Sequence, residues 1–184
     1  MMESDVYLLK ILLLGKEGVG KTSIAHRFIS NKFKESFKST MGLDILSHVV
    51  IVDDITYQLQ IWDFGGQESF KSIRRNFYDA ANGIILIFDL TDTSSLDRAR
   101  AWVAESRENL KEDIPVVVAA NKHDLIDQLT IPDGEARNFV KVSNLTGPLL
   151  KTSALSGENI PELFVQLIRE IIRRQPELEI ADMD

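Results

Sequence analysis

The chain has 184 residues, 44% of them hydrophobic and 27% charged, which suits one compact domain with a substantial buried core. It contains no cysteine, which excludes a disulfide framework, a thiolate metal site and a thiol nucleophile, and fits a cytoplasmic location. A net charge of −7 opposes binding to nucleic acid or to an anionic membrane surface, because both require a positive field.

The first residues, Met1-Met2-Glu3-Ser4-Asp5, lack the basic region of a secretory signal, and Met2 in place of glycine excludes myristoylation. Tyr7–Leu14 is a near-continuous apolar run, interrupted by Lys10 and too short to span a bilayer. It predicts a parallel strand covered on both faces. Residues 21–31 follow a glycine-rich turn and predict a helix. The apolar runs 45–52 and 57–62 flank Asp53-Asp54 and predict a hairpin, which adds one antiparallel edge strand. Gly83–Asp89 and 115–121 are further buried strands. Ser94-Ser95 is expected to cap a helix carrying Leu96, Ala99, Trp102 and Val103. Pro132-Asp133 opens a short helix with Ala136, Phe139 and Val140.

Ile160–Arg174 has the strongest helical period: Leu163, Phe164, Leu167, Ile168, Ile171 and Ile172 form one apolar stripe. Arg173 and Arg174 suit its last turn, and Pro176 stops it. The acidic residues 177–184 are expected to be disordered, and they offer no prenylatable cysteine. No direct lipid anchor and a monomer are expected. The alternation of strands and helices predicts a single α/β domain over residues 1–176, built as a three-layer sandwich.

Three short motifs carry chemistry. Gly15-Lys16-Glu17-Gly18-Val19-Gly20-Lys21-Thr22, continued by Ser23, joins a strand to a helix and matches the phosphate-binding P-loop. Its glycines let main-chain N–H groups converge on an anion at a helix N-terminus. Lys21 would neutralise the terminal phosphates, and the Thr22 hydroxyl would ligate Mg²⁺. Asn121-Lys122-His123-Asp124 ends an apolar strand, where α/β folds place ligands. A carboxylate at Asp124 can accept from both N1–H and the exocyclic amine of guanine, a pair that adenine lacks. Asp63, in Trp62-Asp63-Phe64-Gly65-Gly66-Gln67, is placed to hold a water on Mg²⁺. Gly66 can offer its N–H to a γ-phosphate, and Gln67 can orient an attacking water. His26, His48 and His123 share no metal-ligand spacing.

These motifs, in this order and over nearly the whole chain, resemble the Ras superfamily of small GTPases. The resemblance implies a P-loop NTPase G domain with a six-stranded, mostly parallel sheet, binding GTP or GDP with Mg²⁺ and hydrolysing GTP. It implies that Thr40 completes the Mg²⁺ site from switch I, that Phe33 packs on the guanine, that Lys122 lies along its face and that Asn121 braces the base loop. Thr152-Ser153-Ala154 resembles the last base-binding motif, with the Ala154 N–H meeting the guanine carbonyl. The segments 38–42 and 66–70 look Rab-like, whereas Trp62-Asp63-x-Gly65-Gly66-Gln67 and Glu17 look Arf-like. Exchange factors, GTPase-activating proteins and effectors are the implied partners, the effectors through a cluster of Ile45, Trp62 and Phe77, although Trp62 and, more so, Phe77 could equally be plain core residues.

Departures from the pattern bear on function. Glu17 stands where Ras proteins carry glycine, and a carboxylate there opposes the γ-phosphate and crowds an incoming arginine finger. Pointing outward, Glu17 is instead a solvated glutamate on the loop rim; the first reading predicts slow intrinsic hydrolysis, with Gln67 still competent. Leu155 replaces the lysine that often follows Ser-Ala, which removes a ribose or base contact. Phe64 and Gly65 replace the usual Thr-Ala of Rab and Ras, and a Gly65-Gly66 pair makes switch II more permissive. The alternative reading is a nucleotide-dependent interaction module with negligible hydrolysis. Glu17 favours it and Gln67 disfavours it. A P-loop small-molecule kinase is disfavoured by residues 121–124.

Overall fold

The computed structural model describes residues 6–33, 40, 42–65, 76–110 and 113–175. The acidic segment 177–184 lies outside them. The elements in chain order are β1 (Tyr7–Leu14), α1 (Lys21–Ser30), β2 (Leu43–Val52), β3 (Ile55–Phe64), β4 (Gly83–Asp89), α2 (Thr93–Asn109), β5 (Val116–Asn121), α3 (Asp133–Val142), β6 (Leu149–Lys151) and α4 (Ile160–Arg174). They build one six-stranded sheet in the order β2-β3-β1-β4-β5-β6. β2 and β3 are antiparallel, and every other neighbouring pair is parallel.

The apolar runs of β1, broken only at Lys10, and of β4 are long because each strand feeds two cores. Leu9, Ile11, Leu13, Ile85 and Ile87 face α1 and α4, whereas Leu12, Leu14, Ile84, Leu86 and Phe88 face α2 and α3. Side chains alternate across a strand, so both sets must be apolar when both faces are covered. The stripe of α4 packs into the first core through Leu163, Phe164, Leu167, Ile168 and Ile171. Phe164 stacks on Phe28 of α1, with ring centroids 3.8 Å apart and an interplanar angle of 9°.

Several boundaries differ from the expectations. The hairpin strands reach outward to Leu43 and Phe64, because the ladder continues in register past the apolar runs. β5 starts one residue after Pro115, whose carbonyl still accepts from the Ile84 N–H at 3.0 Å. The cap of α2 is Asp92, not Ser94 or Ser95: its carboxylate accepts from the Ser94 N–H at 3.0 Å. Ser95 is buried instead, and its hydroxyl accepts from the Asp89 N–H at 2.8 Å. β6 is three residues long, too short to leave a periodic signal in the sequence.

Phe164 is fully buried and seats α4 on α1. Phe164→Ala should therefore destabilise the fold by about 3–5 kcal/mol, read as a lowered urea midpoint at unchanged slope.

Candidate functional site

The parallel strands deliver their carboxyl ends to one edge of the sheet, where ligand sites form in α/β folds. The loop 15–20 leaves β1 there. Asp63 lies near the end of β3, Asp89 ends β4, Asn121 ends β5, and Thr152 to Ala154 follow β6. Of these, residues of the loop 15–20, Asn121 and Ala154 line a cleft of about 820 Å³.

At one end, Lys21 begins α1 and turns back over the loop, donating from Nζ to the Gly15 and Lys16 carbonyls at 3.0 and 3.0 Å. Lys16 reaches the other way, to Asp92 and Ser94 at the start of α2, both at 2.7 Å. Gly20 adopts φ 104°, and a Cβ there would collide with the Asn121 amide. Asn121 is buried and joins the loops: its Nδ2 donates to the Val19 carbonyl at 2.8 Å. Its Oδ1 accepts from the Thr152 hydroxyl at 3.1 Å and the Ala154 N–H at 3.3 Å.

Beside Lys21, three oxygen-bearing side chains converge. The Thr22 hydroxyl donates to Asp63 Oδ2, the Thr22 and Thr40 hydroxyls are 2.9 Å apart, and Thr40 Oγ1 lies 3.5 Å from Asp63 Oδ2. Asp63 is fully buried, and its Oδ1 has no hydrogen-bond partner among the described residues. A buried carboxylate oxygen left over beside two hydroxyls is an all-oxygen donor set, the kind that suits a small hard cation such as Mg²⁺. Burial pushes the Lys21 ammonium below its ordinary pKa, opposed by Asp63 and then by Glu17. Burial likewise pushes the Asp63 carboxyl up, opposed by the Thr22 hydrogen bond and by Lys21. Glu17 is exposed on the rim of the cleft and contributes negative field at Lys21.

At the other end, Asp124 borders the cleft and its Oδ1 accepts from the Ser153 hydroxyl at 2.5 Å. Ser153 is fully buried, so its hydroxyl orients the Asp124 carboxylate from behind. Lys122 has a left-handed backbone (φ 64°) and pairs its Nζ with Asp89 at 2.6 Å. Phe33, Ala154 and the half-exposed Leu155 complete this wall. Arg27 of α1 fixes the wall from outside, donating from Nε to the Ala154 carbonyl at 2.8 Å and from Nη2 to the Leu155 carbonyl.

The structure thus brings to one cleft Glu17, Gly18, Gly20, Lys21, Thr22 and Ser23 with Phe33, Thr40, Asn121, Lys122, Asp124, Ala154 and Leu155. Gly15, Val19 and Ser153 stand behind the lining and act on it through hydrogen bonds. Gly66 and Gln67 lie outside the described residues. Phe64, noted in the sequence only as a departure from the family pattern, also lines the cleft, and Leu125, Asp89 and Arg27 were passed over. Asp89 had a legible signal, being the acidic end of β4 in register with Asn121. Arg27 had none, since a mid-helix arginine ordinarily faces solvent. Beyond the cleft, Ile45 pairs in register with Trp62, whose ring lies 6.0 Å from that of Phe77. Phe77 also packs on Phe64 at 4.7 Å, so the expected surface cluster is continuous with the strand that carries Asp63.

Gly20→Ala forces a Cβ into a left-handed position and against Asn121. A loss of about 1–2 kcal/mol is expected. At roughly 2–4 °C per kcal/mol for a chain of this size, circular dichroism should record a fall of about 2–8 °C in Tm.

The Ras family model matches residues 10–173 of the chain. Ras-related protein Rab-4B of Rattus norvegicus is 37% identical over 174 residues, covering 95% of this chain and 81% of that protein. Ras-related protein Rab-4A of Bos taurus is 34% identical over 184 residues, covering 100% of this chain and 82% of that protein. Rab-4A of Danio rerio is likewise 34% identical, with 84% of its length covered. With a G-domain sheet, a P-loop at the carboxyl edge and these relatives along its length, the chain belongs to the Ras family and is a Rab-like small GTPase.

Proposed function

We propose that the cleft binds GTP and GDP with Mg²⁺ and that the chain hydrolyses GTP slowly, as a switch that controls effector binding in membrane traffic. One observation carries this reading. Phosphate-directed, cation-directed and base-directed groups line a single cleft, and Asn121 fixes their spacing. Lys21 is a buried ammonium whose burial works against its charge, so a polyphosphate in the loop would supply the counter-charge it lacks. Thr22, Thr40 and Asp63 would hold Mg²⁺, which when bound supplies charge neutralisation to the phosphates. Asp124, held in orientation by Ser153, would accept from the guanine N1–H and amine. Lys122, fixed by Asp89, would flank the base with Phe33.

Gly66 would offer its N–H to the γ-phosphate and Gln67 would orient water; both assignments rest on the motif. Catalysis is then positioning and charge stabilisation, with little covalent work for the protein. Exchange factors, activators and effectors would read the switch surface beside Ile45, Trp62 and Phe77. Among the described residues no helix is long and apolar enough to cross a membrane.

A second reading, binding with negligible hydrolysis, draws on Glu17, whose carboxylate lies on the rim of the phosphate end. Single-turnover GTP cleavage separates the two. Glu17→Gly should speed cleavage if its charge is what slows it; equal basal and activator-stimulated rates would remove Glu17 from the mechanism.

Base identity is tested on the purified protein. GDP or GTP should co-purify, and retained ATP would sink the guanine assignment. GDP should bind more tightly than inosine diphosphate, which lacks the amine. Asp124→Ala should lower GDP affinity roughly 10- to 100-fold, the range for a charge-assisted hydrogen bond, and abolish that preference.

A further inference from the structure

One side chain behind the Asp124 end of the cleft reaches both segments that form its wall. Arg27 lies in the last turn of α1, half-buried, and its guanidinium donates to three main-chain carbonyls. Two of these follow β6: Nε donates to Ala154 at 2.8 Å and Nη2 donates to Leu155. The third, 3.0 Å from Nη1, is the carbonyl of Asn31, two residues before Phe33. Asn31 caps α1 with a left-handed backbone (φ 52°), and its N–H donates to the Arg27 carbonyl at 2.9 Å. Both main-chain polar groups of Asn31 are thus held by one residue, and the chain leaves for Phe33 from a fixed point. Ser153 holds the turn after β6 as well. Its hydroxyl accepts from the Ser156 N–H at 3.0 Å and donates to Asp124, and its carbonyl accepts from the Gly157 N–H at 2.8 Å. Phe33, Asp124, Ala154 and Leu155 all border the cleft. A planar guanidinium fork can serve three carbonyls in one geometry, whereas an ammonium on a flexible stem cannot.

We propose that Arg27 is the positioning residue for the nucleotide base: it ties the Phe33 and Ala154–Leu155 segments to one guanidinium and so sets how long a bound nucleotide stays. The proposal rests on the guanine-nucleotide reading and adds to it a residue outside the lining of the cleft. These three hydrogen bonds end on carbonyls, so what Arg27 contributes there is geometry and not charge to a ligand. Leu155 brings no polar side chain to the wall, and its carbonyl is what the fold holds in place. Without the fork the two segments shift independently, the base loses its fit and release quickens. GDP and GTP share the base, so both are affected alike. Thr22 and Asp63, joined to each other at the other end of the cleft, keep their geometry.

The test follows release of radiolabelled GDP and of the slowly hydrolysed analogue GTPγS into excess unlabelled nucleotide. Wild type, Arg27→Lys and Arg27→Ala are compared with Mg²⁺ present and after its chelation by EDTA. Arg27→Lys keeps the charge and the stem but not the fork. It should release both nucleotides about tenfold faster, the order of one charge-assisted hydrogen bond, with association rates within about twofold of wild type. Arg27→Ala should release them at least as fast. Chelation should speed release by the same factor in each protein, because the two ends of the cleft act independently. Amide exchange of the GDP-loaded variants should quicken in residues 31–33 and 154–157 together. Unchanged release, a loss confined to one nucleotide, a changed chelation factor, or exchange that quickens in only one segment would each overturn the proposal. So would loss of the folded circular-dichroism spectrum in Arg27→Lys, which would make the residue a structural one. Wild-type protein that holds neither nucleotide would instead refute the guanine reading and take this inference with it. Wild type that retains GDP, beside an Arg27→Lys variant that releases it equally slowly, would overturn this inference alone.

Discussion

The hydrogen bonds of Asn121 set the geometry on which the cleft depends. Its amide is buried at the end of β5 and has partners on both sides. Nδ2 holds the phosphate loop by the Val19 carbonyl, and Oδ1 holds the segment after β6 by Thr152 and Ala154. A buried amide that loses a partner is costly, so the set behaves as a unit. The loop 15–20 and the segment after β6 therefore keep a fixed spacing. Gly20 belongs to the same device, since Asn121 occupies the volume that a Cβ would need.

Around this brace the charges are arranged unlike those of an ordinary core. Lys21 and Asp63 are both buried, and burial acts against the ionised form of each. They help one another through space, yet Lys21 makes its hydrogen bonds to carbonyls and Asp63 to threonines. Asp63 Oδ1 is left over. Such an arrangement is poor for stability and good for receiving a ligand that brings both anionic oxygens and a cation. Glu17 adds negative field at the rim, which supports Lys21 and works against an incoming phosphate.

The hairpin links this charge cluster to the outer surface. β3 carries Asp63 on one side of its pleat and Trp62 on the other, so the buried carboxylate and the Trp62–Phe77 contact share a strand. Trp62 packs toward Phe77, Phe77 toward Phe64, and the rung after Phe64 brings Thr40 over Gly65. A change at the phosphate end thus has a short packed route to Ile45 and its neighbours.

The sequence by itself determined the layers, every strand of six residues or more and the principal motif residues. Buried strands must be apolar on both faces, α4 must show a helical stripe, and a phosphate loop needs its glycines and lysine at fixed spacing. These are local constraints, and they leave local marks. Tertiary structure decided what depends on distant segments meeting. Asp92 and not a serine caps α2, Ser153 serves Asp124 from behind, Asp89 claims Lys122, and Arg27 reaches the carbonyls beyond β6. Gly65 is the sharpest instance. In the sequence it reads as a flexible glycine, and only the approach of Thr40, 25 residues earlier by position, makes it a glycine of necessity. The reason is steric: a forbidden Cβ is visible only once the backbone that forbids it is in place.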